Sequence, residues 1–282
     1  MLLKIFAFLA AAIVILLIGV FLLGSKQPSY AISAHNKIAL IGVKYDRKSQ
    51  FEASRLSMTT PLWRGQTVMT LVGPDEPYWT EFLLLPLDEA VAAQLKEEEN
   101  FDDLLAIEVA PTRIPAFALG ILRAGYLSGF VRMNTDGPVE LDTSTFDRPE
   151  ILPSANTVDA LKAASPSRQL TMLNFLQYNS EPGNPEDGRR AYQRYGRQAI
   201  KTVHSAGAQL LFAGRVSRVI VDSQMASTAG DWDDLAAMTY PTPTTVLRLE
   251  SDPDYAASLD HRAKGLKRTV VIATESIRTD SE

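Results

Sequence analysis

The stretch Trp232-Asp233-Asp234-Leu235-Ala236-Ala237-Met238-Thr239-Tyr240, followed by Asp252-Pro253-Asp254-Tyr255, His261-Arg262 and Thr269-Val270-Val271-Ile272-Ala273-Thr274, decides how the chain is read. It predicts a strand, a helix with a polar, aromatic-rich cluster, and a closing strand whose β-branched run suits a pleated, buried surface. A blurred copy runs from Trp79 to about Gly120, with Trp79 opposite Trp232, Glu81 opposite Asp234 and Phe101 opposite Tyr255. Further upstream, Met172-Leu173-Asn174-Phe175-Leu176-Gln177-Tyr178-Asn179 matches Ala39-Leu40-Ile41-Gly42-Val43-Lys44-Tyr45-Asp46.

Working outward, the first half predicts strands over 38–45, 67–72 and 82–85, helices over 51–62 and 88–99, and a last strand within 114–126. The second half predicts helices over 157–164 and 189–206, the latter capped by Asp187, and strands over 171–178 and 209–221. Both halves therefore read β-α-β-β-α-β, the ferredoxin-like order. The strand at 171–178 is apolar on both faces, Met172 and Leu176 on one and Leu173 and Phe175 on the other. The face turned from the helices then needs cover, and the other half's sheet can supply it at about 10 Å. The expected fold class is α+β: two ferredoxin-like domains pairing sheet to sheet as an intrachain dimeric α/β barrel. The expected divisions are an anchor at 1–26, a polar tether at 27–36, domains at 37–130 and 157–278, and a linker at 131–156 rich in Asp, Thr, Ser and Pro.

Between Lys4 and Lys26, residues 5–23 carry no charge. At about 1.5 Å per residue such a helix spans roughly the 30 Å hydrocarbon core of a bilayer. The run exceeds the usual apolar region of a cleaved signal peptide, about 7–15 residues. It predicts a retained single-pass membrane anchor, with the bulk of the chain on the extracytoplasmic side of a bacterial-type membrane. The rest, at 46% hydrophobic residues and a net charge of -5, has the composition of a cored protein and lacks the basic footprint of a nucleic-acid binder. With no cysteine there is no disulfide, thiolate catalysis or thiolate-bound zinc.

Several pieces of the second half together resemble the domain of unknown function family 1330, of the dimeric α/β-barrel superfamily. They are Met172-Leu173-Asn174-Phe175-Leu176, Asp187-Gly188-Arg189-Arg190-Ala191-Tyr192 with Tyr195-Gly196, Ala213-Gly214-Arg215, Trp232-Asp233-Asp234, Asp252-Pro253-Asp254-Tyr255, His261-Arg262 and Ile272-Ala273-Thr274. The first half is similar only through the internal copy. The resemblance implies ferredoxin-like subunits paired sheet to sheet. The superfamily includes cofactor-independent monooxygenases, isomerases, haem-using peroxidases and ligand-binding modules; the family itself implies no common reaction.

For chemistry, the residues singled out are His261 as a base, Arg262 as an anion partner and Asn174 as an orienting donor. Trp232, Tyr255, Tyr195 and Asp234 are candidate ligand contacts. Against this stands a structural reading of His261-Arg262 as a helix-capping pair, and of the aromatics as core. Continuing the Phe101–Tyr255 match sets Ile107 against His261 and Glu108 against Arg262, which suggests that only the second half keeps a polar site. His204, closing a helix, suits the negative dipole end as a partly positive imidazole. No histidine sits in a metal-ligand spacing, and no phosphate loop, dinucleotide motif or nucleophile elbow occurs. The expectation is a small apolar or aromatic organic ligand, no cofactor (haem on His261 being the alternative), a lipid bilayer partner through residues 5–23, no nucleic acid, and room for self-association. The competing class is a non-enzymatic assembly protein at the membrane.

Overall fold

A computed structural model of the protein describes residues 2–74, 76–133, 151–165, 167–180, 188–223, 225–249 and 252–277. The apolar helix α1 (Leu2–Ser25) leads through α2 (Pro28–Ile32) into β1 (Ile38–Lys44), α3 (Lys48–Ala53), a 3-10 turn (Arg55–Met58), β2 (Trp63–Val72), β3 (Glu81–Pro86), α4 (Glu89–Lys96), β4 (Asp103–Pro111) and α5 (Ala116–Leu127). The second half gives α6 (Ala155–Ala163), β5 (Leu170–Tyr178), α7 (Gly188–Ser205), β6 (Gln209–Val221), β7 (Asp234–Tyr240), α8 (Pro243–Arg248), α9 (Pro253–Gly265) and β8 (Leu266–Ser276).

The eight strands close into one antiparallel barrel in the order β1-β3-β2-β8-β5-β7-β6-β4. Read within each half, this is β4-β1-β3-β2 and β8-β5-β7-β6, the same order twice. The halves join edge to edge, β2 to β8 and β4 to β6, so among the described strands no edge is left open to pair with another chain. At the β4–β6 seam the buried Glu108 accepts hydrogen bonds from Arg218 (2.7 Å) and meets Lys37 (2.8 Å). Burial alone would raise the Glu108 pKa, but these two cations outweigh it and hold the carboxyl below its ordinary value.

Period-two alternation divides each strand. Leu173 and Phe175 point into the barrel, whose core also takes Leu40, Phe82, Leu84 and Ile107 from the first half. Met172 and Leu176 face the outer helices, as the sequence pattern predicts.

The structure corrects three readings of the first half. Its last strand is β4, and the segment assigned to that strand instead contains the helix α5, opened by Pro115 and built from strong helix formers such as Ala116, Leu119 and Leu122. Residues 27–36 are not a free leash, because α2 buries Ser29 and Ile32, and Ile32 joins the barrel core. The helix expected over 51–62 is the short α3 followed by the 3-10 turn. The internal match also slips. Asp88 and Asp252 are N-caps of α4 and α9, but α8 and its turns are inserted between β7 and α9, whereas β3 reaches Asp88 directly through Leu87. Ile107 and Glu108 thus lie in β4 while His261 and Arg262 lie in α9, and the polar asymmetry drawn between those pairs disappears.

Candidate functional site

The second half's outer layer is α7 and α9 laid over the outer face of β5, β6 and β7. The two helices meet where Gly188 faces Gly265; a Cβ on Gly265 would sit 2.7 Å from the Tyr192 backbone nitrogen, so this approach admits no side chain there. The α9 N-terminus is held by Asp252, which accepts from the amides of Asp254 and Tyr255 and from the Thr202 hydroxyl (3.2 Å) of α7. This packing fixes a row of rings: Tyr178–Tyr192 at 5.5 Å, Tyr192–Tyr195 at 5.3 Å and Tyr195–Tyr255 at 5.9 Å.

Beneath α7 lies a cavity of about 540 Å³, walled by Leu176, Ala199, Val203, Leu235, Ala236 and Met238 and carrying Tyr192, Tyr195, Tyr240, Tyr255 and Asn174. The Tyr195 and Tyr255 hydroxyls bond to each other at 3.0 Å. Those of Tyr192 and Tyr240 have no hydrogen-bond partner among the described residues, although Tyr240 is only 7% exposed. Burial pushes the pKa values of Tyr192, Tyr240 and Tyr255 well above the ordinary phenol value, and neighbouring phenols add to the shift. These groups therefore stay protonated at neutral pH and act as hydrogen-bond donors. On the floor, the Asn174 amide donates to the carbonyls of Met172 (3.1 Å) and Ala236 (3.4 Å), which leaves its Oδ1 as an acceptor.

At one end Asp234 accepts from the Tyr178 hydroxyl (2.7 Å) and from Arg189 (2.7 and 2.9 Å), whose guanidinium also lies 4.7 Å from the Tyr178 ring centroid. Burial first, and then Asp234, raises the Tyr178 pKa. The first half has a counterpart. Glu81 accepts from Tyr45 (2.8 Å) and from Arg64, and burial with Glu81 pushes Tyr45 up to about 12.

Four of the seven residues singled out from sequence, Asn174, Tyr195, Tyr255 and Asp234, thus meet at one cavity. The other three do not line it. Trp232 lies on the opposite side of the sheet, in the barrel core, where it donates to the Thr228 carbonyl (2.7 Å) while Trp79 donates to the Thr228 hydroxyl (2.7 Å). Arg262 donates to the Ile151 carbonyl, pinning the buried end of the inter-half segment. His261 flanks α9, about 120° around the helix from Tyr255 at 100° per residue, and its Nδ1 is buried with no partner among the described residues. Sequence reading missed Tyr192 and Tyr240 as site residues. Tyr192 and Tyr195, three apart, share one face of their helix, and Tyr240 closes the quoted strand. His204 is buried, with Nδ1 2.8 Å from the Ile200 carbonyl; desolvation lowers its pKa, so the expected positive cap is a neutral ring. The proposed cap Asp187 lies outside the described residues. Among the described residues no three His, Asp or Glu side chains are grouped to hold a metal ion.

No family model and no curated protein matches the sequence. Among solved structures the chain is similar to a protein of unknown function from Rhodopseudomonas palustris, with 18% identity over 46% of this chain and 98% of that one, TM-score 0.40. It is also similar to a candidate monooxygenase from Fusobacterium nucleatum, with 7% identity over 86% of this chain and 94% of that one, TM-score 0.42. A siroheme decarboxylase in complex with an iron-uroporphyrin III analogue shares 14% identity over 87% of this chain and 73% of that one, TM-score 0.35. At these values the likenesses assign neither a family nor an activity, and the resemblance noted above remains one of residues and motifs.

Proposed function

We propose that the chain is a membrane-anchored protein of two ferredoxin-like units paired as a dimeric α/β barrel within one chain, and that it binds a small apolar or aromatic molecule between α7 and the second-half sheet. The observation that carries this reading is a cavity with apolar walls in which the Tyr240 hydroxyl has no hydrogen-bond partner among the described residues, beside the other phenols and Asn174. A ligand oxygen or nitrogen would take the place of water on that hydroxyl, a hydrogen bond worth about 0.5–1.5 kcal/mol net. The ligand's ring would lie among the tyrosines and its acceptor would face the phenols. Asn174 Oδ1 would take a ligand donor.

The lining favours binding over proton transfer. Its phenols are held protonated, Asp234 is engaged by Arg189 and Tyr178, and His261 is turned to the helix flank. Cofactor-free chemistry with His261 as base needs that side chain brought to the cavity. Retention of α1 is supported by its length and by its packing on α5, where Gly24 and Val20 meet Ala116 and Gly120.

The test is thermal shift of the full chain in detergent micelles against a panel of neutral aromatic and phenolic compounds. The reading expects hits that disappear in Ala236→Leu, which fills the cavity from its floor, while the variant's own melt is unchanged. A panel without hits, combined with specific co-purifying proteins, would favour the assembly role instead.

A further inference from the structure

The helix α5 was absent from the sequence reading, and its surface is unlike that of the other outer helices. Its first two turns lie against the last turns of α1 so closely that a Cβ on Gly24 would fall 1.6 Å from the Ala116 carbonyl oxygen, and one on Gly120 would fall 1.8 Å from that of Val20. Backbone-to-backbone contact through small residues four apart is the packing that apolar helices use in lipid, where burial of oily side chains gives no advantage. The pairs Gly24–Ala116 and Val20–Gly120 run antiparallel, so α5 turns back along α1 toward the medium that α1 occupies.

On its free side α5 presents Phe117 and Ile121, about 40° apart at 100° per residue, followed by Leu127 and by Phe130, which is 90% exposed. No acidic residue occurs from Ala116 to Met133. The two cations there, Arg123 and Arg132, each lie 5.5 Å from the Tyr126 ring centroid. Apolar side chains beside arginines stacked on a tyrosine match the chemistry of the bilayer interface. The far end of α5 is fastened to the barrel: Tyr126 fills the space beside Gly207, and the Met133 amide donates to the Ser205 carbonyl (2.8 Å). Below α1, α2 packs on the barrel in place of a flexible tether.

We propose that α5 and Phe130 lie in the lipid interface beside α1, so that the barrel is seated against the bilayer in a fixed orientation. This rests on the reading of α1 as a retained anchor. The absence of cysteine makes a clean test possible. Single cysteines at Phe117, Ile121, Phe130, Leu16 and the 79% exposed Met225 are labelled with an environment-sensitive fluorophore in the full chain. The labelled chain is reconstituted into phosphatidylcholine–phosphatidylglycerol vesicles, with or without nitroxide on the acyl chains. The expected result is a blue shift and loss of most emission to the nitroxide at 117, 121, 130 and 16, and no change at 225. A second variant, Gly120→Leu, should abolish quenching at 117 but leave it at 16, with the barrel melt retained. Quenching at 16 with none at 117, 121 and 130 overturns the seat and spares the anchor. No quenching at 16 removes both. Blue-shifted but unquenched probes at 117, together with disulfide dimers when the unlabelled Phe117→Cys chain is oxidised by air, would assign the face to a second copy and overturn the proposal.

Discussion

The outer layers of the two halves occupy equivalent places and are filled differently. In the first half, Ile41 on β1 pairs across the ladder with Leu83 on β3, and both are fully buried among Leu85, Leu95 and Phe51 under α3 and α4. In the second half the same ladder positions hold Asn174 and Ala236. Exchanging two large aliphatics for an amide and a methyl leaves an opening, which the tyrosines of α7 and α9 ring without filling. The two layers nonetheless share a device, Tyr45–Glu81–Arg64 in one and Tyr178–Asp234–Arg189 in the other. The difference teaches that what the halves hold in common serves the fold, and that the cavity follows from small residues at two strand positions.

The sharpest way to break this comparison is to exchange the fillings. Leu83→Ala should cost about 3 kcal/mol, because a close-packed layer relaxes only partly around a void; urea melts in detergent check it. The reciprocal Ala236→Leu should leave stability within about 1 kcal/mol, since it enters open space. If both substitutions cost the same, the two layers are equally packed and the cavity reading fails.

The shared device gives the next largest effect. Glu81 is 1% exposed in its side chain and Asp234 is 23% exposed. Removing a carboxylate strands its cation, so Glu81→Ala should cost about 2–3 kcal/mol and Asp234→Ala about 1–2, less because water reaches it. Equal losses by chemical denaturation would erase the distinction.

Smaller effects test the site itself. Tyr240→Phe removes a hydroxyl that has no hydrogen-bond partner among the described residues, so stability should hold, while affinity for a thermal-shift hit should fall about 5–10-fold, the worth of one hydrogen bond. The smallest effect is on pH dependence. Desolvation holds the His204 pKa below its unfolded value, so the unfolded chain binds the extra proton. Stability is then present above the ordinary histidine pKa, about 6.5, and is lost as pH falls through it. Melts between about pH 7.5 and 5.5 should show this decline, and His204→Leu should flatten it.

Local signals were legible in the sequence. The strand alternation of 171–178, the helix that starts at Asp88, the Arg189-bearing helix and the uncharged run at 5–23 all follow from periodicities and side-chain chemistry that act within a few residues. The match of Glu81 to Asp234 was equally readable, and it located the shared device. Insertions between matched elements were not readable. The extra helix α8, which lies between β7 and α9 and has no counterpart between β3 and α4, displaced the register and produced a false contrast at His261 and Arg262. The helix α5 was missed because an apolar run of its length fits a buried strand or a helix alike.

By itself, then, the sequence determined the element order, the apolar first helix and which strand residues share a face, because each depends on local spacing. Only the tertiary structure decided that the sheets join edge to edge in one barrel, that Trp232 belongs to its inside and Asn174 to its outside layer, and that Tyr192 and Tyr240 turn toward the same space. Those outcomes depend on pairings between residues more than a hundred positions apart, as in β4 with β6 and β2 with β8. Side-chain volumes summed across such pairings decide where a core closes and where it leaves room.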